Sequence, residues 1–93
     1  MVSIRNELEK VRKSGIKFLR SEIDTAHTLA DIALASGNDP NKRQRNAGKA
    51  RTAYEAVVRF ADSVSLTSEE ARELSVNLET LKSTLTKLGE QVD

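Results

Sequence analysis

Along most of this chain apolar residues recur at alternating spacings of three and four, and two short clusters of turn-forming residues interrupt them. That period puts them on one face of an α-helix, and no stretch alternates in the period of two that a half-buried strand needs. The first run is Ile4, Leu8, Val11, Gly15, Leu19, Ile23, Ala26, Ala30 and Ala33, widened by Phe18 and Leu29. It predicts a helix over about residues 3–36. Ser14-Gly15 leaves a break open there, because glycine inside a helix costs about 1 kcal/mol relative to alanine and serine can cap a new start. With that break, residues 1–13 become a loosely attached extension of one domain covering 1–93, a length that supports a single core.

Gly37 suits the left-handed position that closes a helix, and Asn38-Asp39-Pro40 then supplies a turn, an N-cap and a proline at the first helical position. A second helix follows over about 40–65, with Ala47, Ala50, Tyr54, Val57, Ala61 and Val64 on one face and Phe60 thickening it. Gly48 permits a competing start at Asn46 that leaves 41–45 as a basic loop; the longer helix is the preferred reading. Thr67-Ser68-Glu69-Glu70 is a capping box opening a third helix over about 68–88. Its apolar seam is Ala71, Leu74, Leu78, Leu81, Leu85 and Leu88, and Gly89 ends it.

Short connections favour antiparallel neighbours, so the expected fold is all-α, an antiparallel up-down-up three-helix bundle. At about 1.5 Å per residue an unbroken helix 1 is roughly 50 Å long against about 35–40 Å for the others. Its first turns then overhang, exposing Ile4, Leu8 and Val11 as an apolar strip that makes a homodimer the alternative to a monomer.

The chain has no cysteine, which excludes disulfides, zinc ribbons and thiol catalysis and makes the cytoplasm the expected compartment. The N-terminus shows no apolar signal-peptide core, and no stretch approaches the ~18 apolar residues of a membrane span. No membrane association is expected.

The net charge of +1 is unevenly spread. Residues 1–39 carry six bases and six acids, 40–61 six bases and one acid, and 62–93 three bases and seven acids. Lys42, Arg43, Arg45, Lys49 and Arg51 stand at the start of helix 2, where the partial positive charge of a helix N-terminus normally attracts acids. They are the candidate anion- or partner-binding residues, provided the acidic third segment does not fold against them and neutralise them. On a helical projection Lys42, Arg45, Lys49 and Arg59 form a basic stripe opposite Tyr54, Val57 and Ala61. A solvated surface accounts for such a stripe as well. It lacks the aromatics that single-strand nucleic-acid readers stack on, and Arg51 has Glu55 as an ordinary i,i+4 partner.

Glu22 projects into the apolar face of helix 1, where a carboxylate needs a partner; Arg43 and the Tyr54 hydroxyl are the candidates, making Glu22 and Tyr54 a buried polar pair. His27 lies between Asp24 and Asp31 on an exposed face, but one histidine and two carboxylates make neither a closed zinc site nor a di-iron bundle. No metal and no cofactor are expected. With one histidine, no cysteine and no glycine-rich phosphate loop there is no nucleophile–base constellation, so the expectation is a protein that is not an enzyme. Val76 stands alone opposite the leucine seam, which is normal for a surface.

Ala50-x3-Tyr54-x2-Val57, following Leu29-Ala30 and the Gly37 turn, resembles the second helix of a tetratricopeptide-type hairpin, and the three-helix layout is similar to that of microtubule-interacting-and-trafficking domains. The tandem 34-residue period of tetratricopeptide repeats and their proline after the second helix are missing. Residues 18–25 together with 50–54 resemble short bacterial helical proteins, a likeness that implies a fold and carries no activity. By analogy such hairpins bind peptides in inter-helix grooves. The sequence thus leads to a non-catalytic protein that contacts a protein partner through a groove or the basic face of helix 2, with nucleic-acid phosphates as the alternative partner of the basic cluster.

Overall fold

A computed structural model describes residues 4–92. Three helices follow one another, α1 (Ile4–Ala35), α2 (Pro40–Ala61) and α3 (Ser68–Lys87), in an all-α three-helix bundle. Residue 3, and residues 1–3 of the expected extension, lie outside the described residues.

Alanine dominates the contact between α1 and α2. Ala26, Ala30 and Ala33 on one helix and Ala47, Ala50 and Ala53 on the other are all buried, and these two helices form the most closely packed pair. A methyl at each of these positions holds the two backbones closer than leucine would allow. The larger buried side chains are Tyr54 of α2, Leu81 and Leu85 of α3, and Leu19, Ile23 and Val57 toward the close of α2. Leu81 and Leu85 pack onto Ala26, Ala30, Ala50, Ala53 and Tyr54, while Leu19, Ile23 and Val57 form a second cluster with Val64, Leu66, Leu74 and Leu78 around it. Ala71 is exposed, so the effective seam of α3 begins at Leu74.

The molecule is a rod of 59 × 22 × 16 Å. Its radius of gyration of 15.6 Å exceeds the about 12 Å of a compact chain of this length, because the helices lie side by side and α1 outruns both partners.

Local chemistry explains the boundaries. Asp39 caps α2 by accepting from the Lys42 backbone N–H at 3.0 Å, and Pro40 opens the helix. The capping box of α3 is complete, with Thr67 N–H donating to Glu70 at 2.9 Å and Glu70 N–H donating to the Thr67 hydroxyl at 3.1 Å. Gly89 takes φ +88° and closes α3 in a Schellman turn, in which Glu90 N–H reaches Leu85 O and Gly89 N–H reaches Thr86 O, both at 3.0 Å.

Two details depart from expectation, and a third that the sequence left open is decided. Gly37 does not adopt a left-handed conformation. The end of α1 is closed instead by the Ser36 hydroxyl donating to Ile32 O at 2.6 Å and by a tight turn from Ser36 O to Asp39 N–H at 2.9 Å. The second helix stops at Ala61, four residues early: Ser63 and Val64 N–H donate to Phe60 O and Ala61 O in successive four-residue turns, and Val64 turns inward onto α1. Finally, α1 passes through Ser14-Gly15 without a break. A Cβ at Gly15 would lie 2.9 Å from Val64 Cγ2, so glycine there admits a neighbouring side chain.

This contact gives a signed prediction. Gly15→Ala gains up to about 1 kcal/mol of helix propensity but overpacks against the stiff, branched Val64, an effect of about 1–3 kcal/mol. In the native background it lowers stability by about 1 kcal/mol, and in a Val64→Ala background it raises stability by a similar amount. Chemical denaturation of the four chains measures both signs, and a stabilising Gly15→Ala in the native background refutes the packing account.

Candidate functional site

The basic cluster occupies the end of the rod where α2 begins. Lys42, Arg45 and Lys49 are exposed and Arg43 is half-buried. Among the described residues no carboxylate comes within ion-pairing distance of any of the four. The reason lies in where the acids of the third segment go. Glu70 meets Arg12 of α1 at 2.8 Å and Glu73 approaches Arg20 of α1 at 3.9 Å, so the acidic start of α3 neutralises α1 and leaves α2 alone. Arg51 differs from the other four. Its Nε is buried and stands 3.6 Å from carboxylate oxygens of both Glu55 and Glu90, inside ion-pair range but beyond hydrogen-bond reach. It ties α2 to the turn after α3, and it is a structural cation rather than part of a free patch.

The proposed pairing of Glu22 does not form. Glu22 is half-buried and its carboxylate reaches solvent, with no bond to Tyr54 or Arg43. Antiparallel geometry is the cause. Ile23 packs at the level of Val57, and Arg43 lies about 21 Å further along α2 at ~1.5 Å per residue. Tyr54 belongs to the other cluster, where its ring is buried with Ala26, Ala50 and Leu81. Burial, and then the negative charge of Glu79, push its phenol above the ordinary 10.0, so it remains a neutral core residue. His27 is half-buried, and no group of three His, Asp or Glu side chains placed to hold a metal occurs among the described residues.

A second candidate was visible in the sequence as an overhang. Ile4, Leu8 and Val11 keep 78%, 64% and 70% of their surface exposed. They form one wall of an open groove of about 700 Å³, whose inner end is closed by Gly15, Phe60 and Val64. Phe60 is braced edge-on against Phe18, ring centroids 4.7 Å apart at 61°, which fixes that end. Phe60, read from the sequence as thickening the apolar face of helix 2, is 39% exposed and meets Phe18 at the edge of that face.

Arg12 anchors the overhanging turns to the bundle, bonding Glu9 at 3.1 Å on its own helix and Glu70 at 2.8 Å on α3. The Glu9 carboxyl is held below the ordinary 4.5, first by the hydrogen bond from Arg12 and then by its charge. The Glu70 carboxyl is lowered first by the Thr67 backbone N–H and next by Arg12.

No protein-family model, curated protein or solved structure matches the chain. None of the helices is long and apolar enough to cross a membrane among the described residues.

Two carboxyls with lowered folded-state values stabilise the fold above about pH 4.5, and that contribution disappears as pH falls through the lower folded values. Denaturation midpoints are expected to stay flat from about pH 7 to 5 and to decline below about 4.5. In Glu70→Gln the acid decline is shallower and neutral-pH stability is lower. Equal acid slopes in the two chains contradict the assignment.

Proposed function

We propose that this chain is a non-catalytic protein–protein interaction module and that its contact surface is the groove beside the first turns of α1. The supporting observation is the apolar strip of Ile4, Leu8 and Val11, exposed and continuous with Phe60 and Val64. Isolated exposed apolar residues are ordinary, as Val76 is here, but a row of them joined into one concave surface costs solubility unless something covers it. Resemblance to tetratricopeptide-type hairpins, which take peptides in inter-helix grooves, points the same way by analogy.

A photo-crosslinking amino acid at position 8, introduced in the cells of origin, tests this reading. Covalent adducts are expected from position 8 and not from position 76, which is equally exposed on the far face of α3. No adduct from position 8 defeats the proposal.

A second reading rests on the free cations Lys42, Arg43, Arg45 and Lys49, which are available to an acidic protein surface or to nucleic-acid phosphates. Four phosphate contacts make a weak binder whose affinity falls steeply with salt. Changing Lys42, Arg45 and Lys49 together to Glu is expected to leave the thermal midpoint unchanged or raised, since acids suit the first turns of a helix, and to abolish any low-salt shift of DNA or RNA. If the triple variant is clearly destabilised, these cations are holding acids of the protein itself. If the native chain shifts neither nucleic acid at low salt, the phosphate reading falls.

A further inference from the structure

We infer that the partner of this chain presents an acidic amphipathic helix, seated between α1 and α2 on the face away from α3 and reaching the arm groove at Phe60. The inference rests on the interaction-module reading above and names the chemistry of its partner.

Ion pairs mark the side of each helix that α3 covers. Glu70 and Glu73 reach Arg12 and Arg20 of α1, and Glu90 reaches Arg51 of α2. At about 100° per residue Leu29 projects opposite Arg20, and Phe60 opposite Arg51. The face away from α3 therefore holds Phe18, Leu29 and Ile32 of α1 with Ala56 and Phe60 of α2. Phe18, Ile32 and Phe60 are exposed, while Leu29 and Ala56 are half-buried. Phe18 meets Phe60, Ala56 lies one turn from Phe60, and Leu29 packs on the cluster that contains Ala53, so the apolar strip runs along the rod. Phe60 and Ser63 line both this face and the arm groove, which joins the two surfaces.

Charge selects the occupant. Lys42, Arg45 and Lys49 continue the flank of Phe60 and Ala56 toward the tip, and Arg59 lines one open cleft with Phe18, Ala56 and Phe60. Among the described residues none of these four cations has a carboxylate within ion-pairing distance. The facing wall of α1 offers Ser21 and Thr25, with Glu22 as its acid. A positive rail along one edge of an apolar strip fits a helix with an apolar seam and acids down one flank. From Arg59 to Lys42 the rail is about 25 Å long at ~1.5 Å per residue, the length of a helix of about 17 residues.

The chain itself displays this mode of docking from the other side. There α3 lays Leu81 and Leu85 onto Ala26, Ala30, Ala50 and Ala53, and its acids Glu70 and Glu73 meet cations of the hairpin. Other anions fit less well. Phe18 and Phe60 pack on each other edge-on rather than standing free for a base to stack on, and a phosphate backbone has no seam to cover the strip. A flat anionic bilayer meets the ridges of the two helices and leaves the floor at Ala56 uncovered.

A labelled synthetic helix with leucines on one face and glutamates on the adjoining flank is the probe, with a twin in which every glutamate is lysine. Fluorescence anisotropy is expected to give micromolar binding of the acidic probe and at least about tenfold weaker binding of the twin. In the chain carrying Lys42→Glu, Arg45→Glu and Lys49→Glu the preference is expected to invert, which loss of fold cannot produce. Amide NMR shifts locate the probe, with changes expected at Phe18, Leu29, Lys49 and Ala56 while Leu81 and Leu85 stay undisturbed. No binding of the acidic probe up to about 1 mM, equal binding of the twins, or shifts centred on the α3 leucines overturns the inference. Tighter binding of a DNA duplex or of phosphatidylserine vesicles than of the acidic probe, at the same salt, also overturns it. Adducts from position 8 alongside such a failure leave the interaction module standing without an acidic partner; their absence removes both.

Discussion

The alanine seam between α1 and α2 is the constraint on which the rest of the structure depends. With methyl groups at Ala26, Ala30, Ala33, Ala47, Ala50 and Ala53 the two helices come close, but such small side chains contribute little apolar area each. The hairpin is therefore well defined and thinly stabilised, and α3 is needed to supply bulk. Leu81 and Leu85, both fully buried, do this by reaching into the groove over the alanines. Stability is concentrated where α3 covers the hairpin and thins toward both ends of the rod.

Those ends are where the functional candidates lie, and the unequal helix lengths put them there. At one end α1 continues past the close of α2 and leaves Ile4, Leu8 and Val11 without a covering helix. At the other, the α1–α2 tip stands beyond the Schellman turn that halts α3 at Gly89, and the cations of α2 stand free. Charge follows the same division. The acids opening α3 lie beside α1 and are used on Arg12 and Arg20, so α2 keeps its positive surface.

Most of this architecture is legible in the residues themselves. The helix types, the Asp39-Pro40 start, the Thr67–Glu70 box, the Gly89 stop and the overhang of α1 all follow from spacing and capping chemistry, which are local. What escaped was set by tertiary register. Glu22 and Arg43 share a core-facing projection, yet antiparallel packing separates them along the rod, and a helical wheel carries no information about that distance. Gly15 looks like a helix breaker in one dimension; in three it is the gap that Val64 enters. Gly37 has the composition of a left-handed cap, but the Ser36 hydroxyl satisfies the nearby carbonyl first.

The basic cluster weighs less once the cap is seen. Of its five cations only Lys42 and Arg43 fall in the first turn of α2, and each unfavourable charge there costs about 0.3–1 kcal/mol when exposed. Asp39 places a carboxylate at that same end and bonds the Lys42 N–H, a cap that contributes about 1 kcal/mol. The two effects nearly cancel, so helix 2 needs no external anion to be stable, and free cations on a hydrated surface carry no penalty that a partner must relieve. Exposed Ile4, Leu8 and Val11 do carry one, since three large side chains in contact with water forfeit about 1.5–3 kcal/mol each relative to burial. Helix 1 extends three turns beyond any internal use for them, and the free energy available from covering that strip is what makes the arm, rather than the basic tip, the stronger candidate surface.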